Sequence, residues 1–378
     1  MIIKNVMAFQ ENATFLKTDI FTSSDYFSNT SVDNSIIDGT GLYAIPGLID
    51  IHFHGCNGSD FCDGSIEAIK NIASYELKNG VTTIVPATMT LSENDLTKIC
   101  STAAEFHEFQ QCNDEPLALL EGINLEGPFI SLEQKGAQNS EYIHAPNIEM
   151  YHKLQKASHN LIKLVDIAPE TEFALDFIDR VKNEVHISLA HTTADYGLAK
   201  TAFDHGASQV THLFNAMPQF MHRFPGVIGA AFDSPHTFVE LICDGVHIHP
   251  STVRVTFQIF TDDRIILISD SMRATGKPSG KYSLGGQDVF VKGNLATLKD
   301  GTIAGSATNL MNCLRIAVKE MGIPFASAVK CATQNPAKAI GLYDKYGSIS
   351  SGKIANLVLL DKDLNIRSII LKGRQISF

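Results

Sequence analysis

The chain has 378 residues, a formal net charge of −11, 44% hydrophobic and 19% charged residues. That length fits one large domain plus a small one. The composition is globular rather than disordered, and the acidic excess argues against general nucleic-acid binding. The seven cysteines are scattered, odd in number and without a C-x-x-C pair, which reads as reduced thiols in a cytoplasmic protein. The opening Met1-Ile-Ile-Lys-Asn-Val6 lacks a signal-peptide core, and no apolar run reaches membrane-spanning length.

Residues 1–45 read as short strands and turns over 1–9, 14–21 and 42–45, with a polar stretch over 23–34. The tail has the same texture, with strands in 347–361 and 364–371 and a last short one after Gly373. Strands at both termini predict a small β-sandwich domain built from 1–46 and 347–378, with 47–346 inserted between its halves. In that middle, strand and helix alternate. Strands are predicted over 48–54, 81–86, 118–126, 161–168, 186–190, 209–213, 237–243 and 264–269. Helices are predicted over 65–79, from the capping box Ser92-Glu-Asn-Asp95 to about 109, and over 171–182, 194–205 and 250–260. Eight such units imply parallel strands with right-handed crossovers, an α/β fold of the (β/α)8 TIM-barrel type. Gly-rich hairpins are expected over 281–303, then helices over 311–321 and 324–333.

In such a barrel the chemistry sits at the C-terminal ends of the strands. Strand one ends in His52-Phe-His54, whose imidazoles would share a face at i, i+2, either as metal ligands or as an exposed strand end. Glu126 ends strand three, His191 strand five, His212 strand six, Asp244-Gly-Val-His247 strand seven and Asp270 strand eight. Imidazole or carboxylate thus recurs at six of the eight ends. Two imidazoles and a carboxylate make a catalytic zinc arrangement with an open position, which selects Glu126, His191 and His212. His52 and His54 are the candidates for a second metal, with Glu126 bridging. Asp270 reads as general base or as a helix N-cap. His222 and Arg223 are the cationic candidates for a phosphate, or an ordinary solvated loop. His247 either orients a sugar or carbonyl group or packs.

The strings Pro46-Gly-Leu-Ile-Asp-Ile-His-Phe-His-Gly55, Leu125-Glu-Gly-Pro-Phe129, Lys135-Gly-Ala137, Ala190-His-Thr192, His212-Leu-Phe-Asn-Ala-Met217, Asp244-Gly-Val-His247 and Ser269-Asp-Ser-Met272 run nearly the whole chain. Together they resemble the N-acetylglucosamine-6-phosphate deacetylase family of the amidohydrolase superfamily. The resemblance implies a homodimeric metal-dependent hydrolase that removes the acetyl group from a phosphosugar, with one or two divalent ions per subunit, zinc foremost. It implies that Glu126, His191 and His212 hold the main metal and that Asp270 is the acid/base. The backbone at Ala137, Asn215 and Ala216 would contact substrate. Arg223 would take the phosphate, with part of that site lent by the neighbouring subunit. His247 would lie near the carbonyl, and Ile303, Ala304 and Gly305 would line the pocket. Gln138 departs from the histidine many members carry, and Asn356 from the usual aspartate in the tail. A related hydrolase for cyclic amides would use a carboxylated lysine at the end of strand four. Here Lys163 lies near that strand's start. A non-catalytic barrel scaffold would be expected to have lost some of these ligands.

Overall fold

The computed structural model describes residues 1–30 and 35–377, so the end of the polar stretch read over 23–34 lies outside them. Strand one, Leu48–Asp50, pairs in parallel with Val81–Ile84, which pairs with Leu119–Leu120. A second parallel run follows in chain order: Ile123–Leu125, Ile162–Ile167, His186–Leu189, Gln209–Val210, Phe238–Ile242 and Ile265–Ile268. A bridge between Ala87 and Asn124 joins the two runs. The ring closes where the Asp270 amide donates to the His52 carbonyl at 2.9 Å. Val81–Ile84 and Ile265–Ile268 are buried at every residue, as strands covered on both faces must be.

Strand three, expected as one run over 118–126, is broken. Its first part serves strand two and its second part serves strand four. Gly122 sits at the break, where an added Cβ would meet the Lys163 Cγ at 2.5 Å. Strand six stops at Val210 rather than 213, because the chain beyond turns through left-handed residues at His212, Phe214 and Ala216. The helix expected from 171 starts at Ala174, after Phe173 at φ 64°. Helices Ile148–Ala157, Gly226–Phe232 and Gln334–Ala339 were not anticipated. The first was readable: the Asn147 side chain caps it by accepting from the Met150 amide at 2.9 Å.

Strands from both ends of the chain form one hydrogen-bonded eight-stranded sheet, in which Tyr43–Pro46 runs antiparallel to Leu357–Leu360. It encloses a separate small core that includes Ile3, Val6, Ile20, Leu357, Leu359 and Ile370. The hairpins Gly280–Leu284, Gln287–Lys292 and Leu295–Thr297 pack on Met89 and Met272 beside the barrel mouth. Among the described residues, no helix is long and apolar enough to cross a membrane.

Candidate active site

A cavity of about 600 Å³ opens at the C-terminal ends of the barrel strands, with His54, Glu126, His191, His212, His247 and Asp270 in its wall. Each arrives from a strand that ends abruptly. His191, His212 and Asp270 all adopt positive φ, at 44°, 30° and 48°. Non-glycine residues seldom accept that conformation. Here it turns three side chains inward at the point where pairing stops.

The Glu126 carboxylate is the centre of the cluster. Its Oε1 lies 3.0 Å from His191 Nε2, 3.3 Å from His212 Nε2 and 3.5 Å from His52 Nε2. Its Oε2 lies 3.2 Å from His54 Nε2. His54 Nε2 is also 3.4 Å from Asp270 Oδ1. Two groups of three ligand atoms therefore share Glu126: one with His191 and His212, the other with His52 and His54.

The protons on these rings decide what the cluster can hold. His191 Nδ1 faces the Gln134 carbonyl at 2.8 Å, so that nitrogen carries the hydrogen and Nε2 presents a lone pair. His52 Nδ1 donates to the Glu240 carboxylate at 2.9 Å, which leaves its Nε2, without a hydrogen-bond partner, turned towards Glu126. Burial alone would lower the His52 pKa, but the charges of Glu240 and Glu126 hold it well above its ordinary value, so Nε2 carries a proton that a bound cation would displace. His191 Nε2 and His212 Nε2 are only 3.2 Å apart. Burial holds the His212 imidazole below its ordinary pKa, towards the neutral form. Imidazole nitrogens and a carboxylate thus converge on one point. Among the described residues, no lysine or arginine pairs with Glu126, Glu240 or Asp270. Their buried charge is balanced by the His52 and His54 imidazoles, whose protons a divalent cation can displace. The donor set fits a divalent one: imidazole nitrogens with a carboxylate, as transition metals prefer.

Burial alone would raise Glu126. The charges of His52 and His54 and the hydrogen bonds of His191 and His212 outweigh it and hold the carboxyl well below its usual range. Burial lowers His247, but its 2.7 Å bond from Nδ1 to Asp244 and that group's charge raise it overall. Asp270 caps no helix; its neighbour Ser271 bridges to Ser306 instead.

The remaining candidates divide. Ala137, Asn215, Ala216, Ile303 and Gly305 line the cavity. Ala304 does not. It points the other way, into the small cluster with Met272 and Leu284. His222 and Arg223 do not line it either, since they sit on an exposed loop that this chain does not fold over the site. Gln138, which departs from the histidine many members carry, donates to Glu126 Oε2 at 3.0 Å and accepts from the Thr90 amide at 2.7 Å. Lys135 lines the cavity and had been given no role.

The amidohydrolase family model matches residues 43–376. The N-acetylglucosamine-6-phosphate deacetylase of Bacillus subtilis (strain 168) is 37% identical over 330 residues, 87% of this chain and 83% of that protein. The N-acetylgalactosamine-6-phosphate deacetylase of Escherichia coli O157:H7 is 32% identical over 335 residues, 88% of this chain and 87% of that protein. Among solved structures, a mutant N-acetyl-D-glucosamine-6-phosphate deacetylase from Mycobacterium smegmatis, in complex with N-acetyl-D-glucosamine-6-phosphate, superposes with a TM-score of 0.91. It is 29% identical, over 99% of this chain and 98% of that one.

Proposed function

The chain belongs to the amidohydrolase family, and within it we propose that it hydrolyses the N-acetyl group of N-acetylglucosamine 6-phosphate, giving glucosamine 6-phosphate and acetate. The observation that carries this reading is the meeting of Glu126, His191, His212 and Asp270 in one cavity wall, in a chain whose relatives are named for that reaction.

Glu126, His191 and His212 would hold the main cation, Zn2+ on this donor set, and His52 and His54 a second one across Glu126. A cation there supplies Lewis-acid charge to the acetamide carbonyl and eases loss of a proton from water. Asp270 takes that proton as water attacks the carbonyl carbon, then passes it to the departing amine as the carbon–nitrogen bond breaks. Asp244 fixes the His247 ring so that Nε2 faces the cavity, where its proton steadies the developing oxyanion.

The phosphate calls for cations. Lys135 supplies one from within the chain. His222 and Arg223 lie beside the exposed Phe220, Met221 and Phe224. That apolar, basic loop suits a face shared by two copies, each lending its arginine to the neighbour's substrate. The unpaired state of all seven cysteines accords with a cytoplasmic setting.

The test is acetate release by the purified protein from N-acetylglucosamine 6-phosphate, from its galactosamine epimer and from unphosphorylated N-acetylglucosamine. Fastest release from the first is expected. Equal turnover of the free sugar, or none of the phosphate ester, overturns the assignment. Fastest release from the epimer moves it to the galactosamine series.

A further inference from the structure

Glu240 lies in the middle of barrel strand seven, Phe238–Ile242, and is fully buried. It does not reach the cavity wall. Both of its oxygens are nevertheless committed. Oε2 accepts from His52 Nδ1 at 2.9 Å and from the His212 backbone amide at 3.0 Å, while Oε1 accepts from Gln209 Nε2 at 2.6 Å. We propose that Glu240 is a positioning residue: its carboxylate locks the His52 ring with Nε2 aimed at Glu126, and so builds the second cation position. This rests on the reading of the histidine cluster as a two-cation centre.

A histidine between two carboxylates has two ways to face. With Glu240 on Nδ1 a hydrogen is held there, and Nε2, 3.5 Å from Glu126 Oε1, is the nitrogen left to face a cation. Without Glu240 nothing distinguishes the two nitrogens, and the ring can turn its hydrogen towards Glu126, closing the site to a cation. A carboxylate behind the ring also makes Nε2 more basic and therefore a better ligand. The same oxygen that orients His52 holds the backbone amide of His212, a residue of the first position. One side chain thereby fixes ligands of both positions relative to each other. Gln209 keeps Glu240 from swinging away.

The experiment uses Glu240→Gln and Glu240→Leu in the full chain, with His52→Ala as the reference for loss of the second position. Glutamine keeps shape and one acceptor oxygen but not the charge, and Gln209, whose Oε1 is unpartnered, can turn its amide to suit. Zn2+ stoichiometry is read by elemental analysis and the two affinities by chelator competition. The exchangeable imidazole N–H signals of the Co2+-loaded protein are read by NMR. The parent should hold two equivalents. The Gln variant, whose oxygen still accepts from the His212 amide, should bind the second one 10- to 100-fold more weakly with the first changed less than threefold, and the Leu variant should bind the second more weakly still. The His52 N–H signal should shift in the Gln variant and vanish in the Leu variant. Unchanged binding of both equivalents in the Gln variant overturns the proposal. So does equal weakening of both in step with lost thermal stability, which is what a packing role would give. A parent with one equivalent overturns it together with the two-cation reading, and a parent with none removes the metal site altogether.

Discussion

Replacing Asp270 with asparagine separates its proton chemistry from its place in the fold. The residue sits at φ 48°, its amide donates to His52 at 2.9 Å and its carbonyl accepts from Ser306 at 2.7 Å. Asparagine has the same shape and is one of the few residues that tolerate this left-handed backbone. Alanine would add strain and a void. What the Asn variant loses is charge and the ability to take a proton. Burial alone would raise the Asp270 pKa. The hydrogen bond to His54 and the charges of His52 and His54 pull it below the ordinary value, so the group is ionised at neutral pH. General acid–base catalysis is worth roughly 10²- to 10⁴-fold, or about 3–5 kcal/mol in the barrier. We expect kcat for acetate release to fall by that factor with KM little changed, at unaltered zinc content and melting temperature. An Asn variant with its cation bound and activity within tenfold of the parent would refute the assignment of the base.

Arg223→Ala should lower kcat/KM for the phosphate ester roughly 10- to 100-fold, the worth of a charge-assisted contact. Its effect on the free sugar should stay below threefold, and a uniform loss on both would deny it a phosphate role. Stripping the protein with a chelator leaves Glu126 held only by the imidazoles around it. Melting temperature should drop and recover on adding Zn2+, which restores up to about 4 kcal/mol of stability at a thousandfold excess over Kd; a melt indifferent to chelator argues against any resident cation. Glu76 is fully buried, neither of its oxygens has a hydrogen-bond partner, and burial pushes its pKa from 4.5 to about 8. A raised carboxyl stabilises fully below its unfolded value, and that contribution is lost as pH climbs through the folded one. Glu76→Gln should therefore differ little from the parent in denaturant melts at pH 5. At pH 9 it should be more stable by on the order of 4 kcal/mol, and a constant offset across pH would show that Glu76 does not titrate on unfolding.

The succession of barrel strands was legible because each is a short apolar run closed by a turn, and the reactive side chains stand just past those runs. His191 and Glu126 could be picked out for that reason. Glu240 could not, because it lies inside its strand, between Val239 and Leu241. A strand buried on both faces gives no alternation to say which residue looks into the barrel. The signal was there in a weaker form, as a carboxylate stranded in an apolar run. Ala304 shows the converse error: a tripeptide assigned to the pocket as a block, although neighbouring residues in extended chain face opposite ways. Arg223 is a different case: it stands off this chain's own cavity, and its local sequence says nothing about how far the loop lies from it. Gln138 was noticed as unusual, but only the three-dimensional arrangement directs it to Glu126 rather than to a sugar.

The sheet woven from the two ends of the chain has a consequence for biosynthesis. Ala44 faces Leu359 across it, so the Tyr43–Pro46 strand leaves the ribosome with its outer row of amides and carbonyls unpaired. It must wait until the entire barrel has been translated. Closing so long a loop is entropically costly and slow. Until it closes, a nascent chain offers an open strand edge to every other nascent chain nearby. Expression at low temperature or with added chaperones should improve yield more than any change at the catalytic face, and truncation before Leu357 should send the protein to inclusion bodies even though every reactive residue is retained.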